Sequence, residues 1–226
     1  MSSRPGDHPG AGFTGTTALI TGAGRGIGRA IAIGLADSGA RLILLARSNQ
    51  ELAETRAVLL VRQGVAADRI RVISADLSDE EQRTRAAKTA LAAGRVDILI
   101  NNAATVEPLG PTVAVPAAEL RSALELNVVA PAALTAAVLP GMLDAGWGRV
   151  VNVSSGIAAH PEGMVRGNAY ATTKAALEAH TVNLAAELRG TGVTVNAYRP
   201  GRVDTAIPAG STPPCRHGSG SKIPNG

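Results

Sequence analysis

The segment Ala18-Leu19-Ile20-Thr21-Gly22-Ala23-Gly24-Arg25-Gly26-Ile27-Gly28 constrains this chain more than any other. A short apolar run enters a glycine turn, and an amphipathic pattern, Arg29-Ala30-Ile31-Ala32-Ile33-Gly34-Leu35, leaves it. Strand, glycine turn and helix in that order form the first half of a dinucleotide-binding βαβ unit. Glycines let the backbone turn tightly and approach a pyrophosphate, whose charge is favoured by the helix N-terminus. The spacing is Gly-x-x-x-Gly-x-Gly through Gly22, Gly26 and Gly28. Taken alone, it also suits a plain flexible turn or the cofactor loop of a methyltransferase.

The rest of the chain repeats the alternation. Apolar, β-branched runs predict strands over Thr17–Ile20, Arg41–Ala46, Ile70–Ser74, Val96–Asn101, Gly148–Ser154 and Val193–Tyr198. Helical patterns fall between them near Gly26–Ser38, Asn49–Gln63, Asp79–Ala93, Pro116–Ala145 and Asn168–Arg189. Alternating strands and helices imply an α/β domain with a doubly wound, Rossmann-like parallel sheet covered by helices on both faces. Six strands are readable and no seventh. A length of 226 residues with 45% apolar content fits one such domain.

Two local patterns suggest chemistry. Tyr170-Ala171-Thr172-Thr173-Lys174 sets a phenol and an ammonium four residues apart on one helix face. A nearby cation favours the phenolate and lowers a tyrosine pKa from about 10, fitting the phenol for proton transfer near neutral pH. As an isolated pair, the two are more simply solvated surface groups. The run Val150-Val151-Asn152-Val153-Ser154-Ser155 predicts a buried strand ending in two hydroxyls. Strand ends in such sheets face the ligand crevice, so a serine there can donate to a substrate oxygen or, more ordinarily, cap a turn.

Together these pieces resemble a classical short-chain dehydrogenase/reductase. Thr21 to Gly28, Asp76-Leu77, Asn101-Asn102-Ala103-Ala104, Asn127, Ser155, Tyr170 with Lys174, and Pro200-Gly201-Arg202-Val203-Asp204-Thr205 follow that family's order over about Thr16 to Thr205. The resemblance implies reversible hydride transfer between a nicotinamide cofactor and a carbonyl or alcohol carbon. Tyr170 would be the acid/base, Ser155 would hold the substrate oxygen, and Lys174 would bind nicotinamide-ribose hydroxyls. Asn127 would hold, through its backbone, a water leading from Lys174 to solvent. The family often carries serine two residues nearer the tyrosine, where Ile157 stands, so Ser154 is the alternative to Ser155. The same resemblance assigns cofactor binding to Thr21, Gly22, Gly24, Arg25, Gly26, Ile27 and Gly28 in the turn. It places Asp76 and Leu77 at the adenine, Asn102 and Ala103 along the adenosine side, and Pro200, Gly201, Val203 and Thr205 by the nicotinamide. Ala104 stands where members usually have glycine.

Charge argues for the cofactor. Members that use NAD end the second strand in an acid that accepts from ribose hydroxyls, whereas a 2'-phosphate needs cations. Here the strand ends Leu44-Leu45-Ala46-Arg47-Ser48, and Arg25 lies in the glycine turn. Two guanidiniums that can flank a 2'-phosphate favour NADP(H) over NAD(H).

Composition excludes other partners. The net charge is +4, basic residues are dispersed and aromatics are 2% of the chain, so nucleic acid is not an expected partner. No apolar run reads as a membrane span and the polar N-terminus lacks a signal core; a cytoplasmic protein with a small-molecule substrate is expected. One cysteine, Cys215, forms no internal disulfide, and four scattered histidines show no metal-ligand spacing. Residues 1–14 and 208–226 are rich in glycine, proline and serine and are expected to be disordered, leaving 15–207 as the catalytic domain. The family's lid and last strand are not recognisable after Thr205, which reads as a truncated or frame-shifted C-terminus. That keeps open a catalytically silent nucleotide-binding module beside the enzyme. The helices near 116–145 and 168–189 are those with which the family forms dimers, so a homodimer is expected.

Overall fold

The computed structural model describes residues 12–62 and 64–201. Six strands, β1 (Thr17–Thr21), β2 (Arg41–Ala46), β3 (Ile70–Ser74), β4 (Ile98–Asn101), β5 (Gly148–Val153) and β6 (Val193–Tyr198), form one sheet in the order β3-β2-β1-β4-β5-β6. Every pairing is parallel. Parallel strands are buried on both faces and so read as continuous apolar runs, as in Leu42-Ile43-Leu44-Leu45, where all four side chains are buried.

Successive strand residues point to opposite faces, and the two faces feed two cores. Ile43, Leu45, Leu19, Leu99 and Val150 belong to one; Leu42, Leu44, Ala18, Ile20, Ile98 and Ile100 belong to the other. The second core is closed by α1 (Gly26–Asp37) through Ala32 and Ala36, and by α2 (Asn49–Arg62) through Leu52 and Leu59. The first is closed by three segments: α3 (Glu80–Leu91) through Ala86 and Ala90; α5 (Ala130–Asp144) through Ala130, Leu134, Val138 and Met142; and α6 (Asn168–Glu187) through Leu184. The layers are those of the doubly wound α/β fold.

Three expectations are corrected. The helix predicted over Pro116–Ala145 runs as α4 (Ala117–Leu124), one π-helical turn (Glu125–Val129) and α5. By length and a mean hydropathy of 1.7, Ala117–Asp144 does qualify as a candidate membrane span, contrary to the sequence reading. Its buried stripe Ala130-Leu134-Val138-Met142, spaced four residues apart, lies in the core against the sheet. Chain packing also starts ahead of residue 15: Phe13 lies against the second core, and the Thr16 amide donates to the Phe13 carbonyl at 3.0 Å.

Candidate active site

The strand order reverses between β1 and β4, since β2 and β3 extend one way from β1 and β5 and β6 the other way from β4. Ligand crevices in such sheets open beyond the carboxyl ends of the strands at this switch point. The glycine turn lies there. Gly22 and Gly26 have φ of +64° and +53°, the left-handed region that side chains disfavour. At Gly28 the requirement is spatial: a Cβ would stand 2.2 Å from the Gly22 carbonyl oxygen and 2.7 Å from Asn102 Nδ2.

Side chains from β1, the end of β4, α2 and α1 surround this turn. Thr21, buried at the end of β1, donates its hydroxyl to the Ile100 carbonyl and accepts from the amides of Asn102 and Ala103 at 2.9 and 3.0 Å. Asn102 Nδ2 donates to the carbonyls of Thr21 and Gly22 at 3.0 and 3.3 Å. Thr55 of α2 donates to Ala23 and Gly24, and Arg29 of α1 also donates to Gly24. Thr21 therefore ties β1 to the end of β4, Asn102 engages the turn's own backbone, and Thr55 and Arg29, given no role in the sequence reading, fix its far side. At the start of α1, Arg25 is extended, no side chain caps the helix and its first turn holds no acid. The amide end of the helix is thus left to an anion, which is the fit a pyrophosphate requires. Ile27 is half-buried beside it.

The residues that follow β2 and β3 lie together at the same edge of the sheet. Arg47 lies 3.7 Å from an Asp76 carboxylate oxygen and Arg25 lies 3.5 Å from Glu51 of α2, so each guanidinium faces a carboxylate. Asp76 accepts from both the hydroxyl and the amide of Ser78, at 2.6 and 3.0 Å. The Ser78 hydroxyl, above all, holds its carboxyl below the usual range, and Arg47 adds to the effect. Leu77 is buried in the core, and its carbonyl accepts from Arg83, itself buried and paired at 2.8 Å with Glu125 of the π turn.

On the other side of the switch point, three consecutive residues at the end of β5, Val153 to Ser155, meet three residues of α6 spaced four apart. Lys174 Nζ donates to the Val153 carbonyl at 2.8 Å. Ser154 donates to Glu178 Oε1 at 2.6 Å. Ser155 lies near enough to the Tyr170 phenol to lower its pKa, and its hydroxyl oxygen accepts from the Ile157 amide at 3.4 Å. The Ser154 hydroxyl is thus engaged by Glu178, while Ser155 lies by the tyrosine. Lys174 Nζ stands 5.7 Å from the centre of the Tyr170 ring, close enough for ammonium and ring to attract.

Burial dominates both titrating groups. It pushes the Tyr170 phenol above its ordinary value, with Ser155 acting against it. It pulls the Lys174 ammonium down to about 8, with Glu178 acting against it. The lowered tyrosine expected from spacing alone is therefore not the state of the chain by itself; desolvation outweighs the opposing effect of Ser155.

Asn127 stands in the π turn with its side chain buried. Its Oδ1 accepts from the Thr105 amide at 2.9 Å, while Nδ2 donates to the Thr105 carbonyl at 2.8 Å and to the Thr173 hydroxyl at 2.9 Å. It ties the segment after β4 to the turn of α6 that bears Tyr170 and Lys174. A π turn inside an α-helix often marks a functional position. Pro200 and Gly201 follow β6, and Val203 and Thr205 lie outside the described residues.

A family model, short chain dehydrogenase, matches residues 16–214. The chain belongs to the short-chain dehydrogenase family. It is 35% identical over 196 residues to a short-chain type dehydrogenase/reductase of Picea abies, covering 84% of this chain and 72% of that protein. The first curated relatives are longer, the chain spanning 72%, 62% and 64% of their lengths. Among solved structures, a metagenomic short-chain oxidoreductase in complex with NADP is 35% identical with a TM-score of 0.77, covering 84% of this chain and 83% of that one. NAD+-bound xylitol dehydrogenase is 30% identical with a TM-score of 0.75, covering 83% and 70%. Family members thus occur with either nicotinamide cofactor, and in this member the turn at Gly22–Gly28 follows β1 while Ser155, Tyr170 and Lys174 gather at the end of β5, with β4 between the two strands.

Proposed function

We propose that this chain is an NADP(H)-preferring oxidoreductase that interconverts a small-molecule carbonyl and the corresponding secondary alcohol. The observation that carries the reading is the convergence of Ser155, Tyr170 and Lys174 at the end of β5, across the switch point from the glycine turn. Bound there, a nicotinamide would supply the hydride or accept it.

The side chains do the rest. Ser155 donates to the substrate oxygen, where a fixed donor meets developing charge. The Tyr170 hydroxyl gives its proton to that oxygen in reduction and takes it back in oxidation. Lys174, protonated at neutral pH, favours the phenolate form and binds ribose hydroxyls, and the π-turn backbone at Asn127 positions water that passes protons to it. Gly22, Gly24, Gly26, Ile27, Gly28 and the α1 amides cradle the pyrophosphate; Asp76, Leu77, Asn102 and Ala103 surround the adenosine, and Pro200 and Gly201 the nicotinamide end.

Arg25 and Arg47 supply the 2'-phosphate preference. Their present ion pairs are long, and the guanidiniums are 62% and 83% exposed. Exposed pairs contribute little, so a phosphate, which binds a guanidinium through charge-assisted bonds, readily displaces Glu51 and Asp76. The assembled protein is proposed to be a homodimer through α4–α5 and α6.

Titration with NADPH and NADH, followed by nucleotide fluorescence, and then NADPH consumption with a panel of ketones test this reading. Tighter NADPH binding with turnover is expected. Binding without turnover of any carbonyl favours a silent nucleotide-binding module, and binding of neither nucleotide overturns both.

A further inference from the structure

Glu178 has no place in the chemistry proposed above, yet it stands where three parts of the site meet. It follows Lys174 by one helical turn and extends the stripe Tyr170, Lys174, Glu178 along α6. Its Oε1 accepts from Ser154 at 2.6 Å and from Arg199 Nε at 2.6 Å, and its Oε2 accepts from Arg199 Nη2. Arg199 directly precedes Pro200 and Gly201, and the Ser154 amide donates to the Tyr198 carbonyl at 2.7 Å. One carboxylate therefore links β5 just before Ser155, the end of β6 just before the Pro-Gly turn, and the helix that carries the acid/base pair. Its side chain is 17% exposed, so the bond from Ser154 is partly shielded, while the Arg199 side of the pair reaches solvent.

We propose that Glu178 is a positioning residue of the site, fixing Ser155 and the Pro200–Gly201 turn to α6 and supplying the counter-charge of the Lys174 ammonium. The proposal rests on the reading of Tyr170 and Lys174 as the acid/base centre only for its effect on turnover; its electrostatic part concerns Lys174 itself. Around that ammonium, α6 contributes Tyr170 and Glu178, and β6 contributes Arg199 beyond the carboxylate. The residues at the end of β5, Val153, Ser154 and Ser155, are uncharged, and so is Asn127 of the π turn; Glu125 of that turn pairs with Arg83 instead. Glu178 thus raises the proton affinity of Lys174, and Arg199, paired with the same carboxylate, draws against that effect. Ser154, by contrast, affects only geometry.

That difference gives a pattern a merely structural role does not produce. The protonation midpoint of Lys174 is followed by NMR of the full chain carrying 13C-labelled lysine, with Lys174→Met identifying the signal. Glu178→Gln, nearly isosteric, lowers the midpoint by roughly 0.5–1 pH unit. Arg199→Gln raises it, and Ser154→Ala leaves it within about 0.2 unit. In turnover, Glu178→Gln lowers kcat about tenfold or more and moves the alkaline limb of the pH profile in the same downward direction. An unmoved midpoint in Glu178→Gln, or shifts of the same sign in Glu178→Gln and Arg199→Gln, overturns the proposal. The NMR outcome stands whether or not any carbonyl is turned over, so a failed enzyme reading is distinguishable from a failed role for Glu178.

Discussion

Two glycines of α1 are predicted to respond oppositely to the same substitution. Alanine is favoured over glycine in a helix interior by about 1 kcal/mol. At Gly34, which is exposed and has nothing within 4 Å of an added Cβ, that preference acts unopposed, and Gly34→Ala is expected to stabilise by about 0.5–1 kcal/mol. At Gly28 the new methyl would stand 2.2 Å from the Gly22 oxygen, 2.8 Å from its carbon and 2.7 Å from Asn102 Nδ2. Backbone must move to admit it, and Asn102 is itself bonded to the carbonyls of Thr21 and Gly22. Overpacking of this kind costs about 1–3 kcal/mol, at the upper end where the obstacle is backbone, so a net loss of about 1–2 kcal/mol remains after the helical gain. Trp147, the only tryptophan of the chain and 5% exposed, reports unfolding. In a domain of this size each kcal/mol shifts Tm by about 2–4 °C. Nucleotide affinity should fall in Gly28→Ala and hold in Gly34→Ala. A Gly28→Ala protein as stable as the parent, or equal destabilisation by both, would refute the reasoning.

Other outcomes follow from the same geometry. Ser155→Ala should reduce turnover about 100-fold or more by removing a donor at the substrate oxygen, whereas Ser154→Ala retains most activity; the reverse order in a steady-state assay sinks the assignment. Because Lys174 is held at about 8 against an ordinary 10.5, the unfolded chain binds the extra proton between those values, so stability rises with pH across that window. The full rise is about 3 kcal/mol; Tyr170, shifted upward from 10.0, works in the opposite direction above that pH. Urea midpoints measured at pH 7.5 and 9.5 should therefore increase, and Lys174→Met should flatten the increase. Arg25→Ala and Arg47→Ala should each weaken NADPH about tenfold while changing NADH little, read by fluorescence titration; equal losses for both nucleotides count against a 2'-phosphate site.

Strands and helices were legible because a parallel sheet buried on both faces leaves a local trace, continuous apolar runs such as Leu42 to Leu45 between amphipathic segments. The glycine turn was legible for the same reason: its constraints are conformational and fall on neighbouring residues. The choice between Ser154 and Ser155 was open in the sequence, and the bond from Ser154 to Glu178 is a difference between them that the sequence does not carry. Partners distant in sequence left no such trace. Glu51 beside Arg25, Thr55 on Gly24, and Glu125 on Arg83 become visible only once α2 and α3 are laid on the sheet. Glu178 was half-legible, since it continues the spacing of Tyr170 and Lys174. The π turn was not, because Leu124 to Ala130 carries the composition of an ordinary helix, and its departure is set by the bonds from Asn127 to Thr105 and Thr173. Tyr170 shows the limit of spacing as a guide to acidity: spacing finds the neighbouring charge but not the depth of burial.

The strand order has a consequence for how the crevice comes into being. Asn102 grips the glycine turn across 80 and 81 residues of chain, with two complete strand-helix units between them. Ordering so long a loop is entropically costly and makes such contacts slow to form. The glycine motif is therefore a local sequence but not a local folding unit. A nascent chain that has reached α2 contains every turn glycine and no crevice, and becomes able to hold a nucleotide only when β4 inserts beside β1.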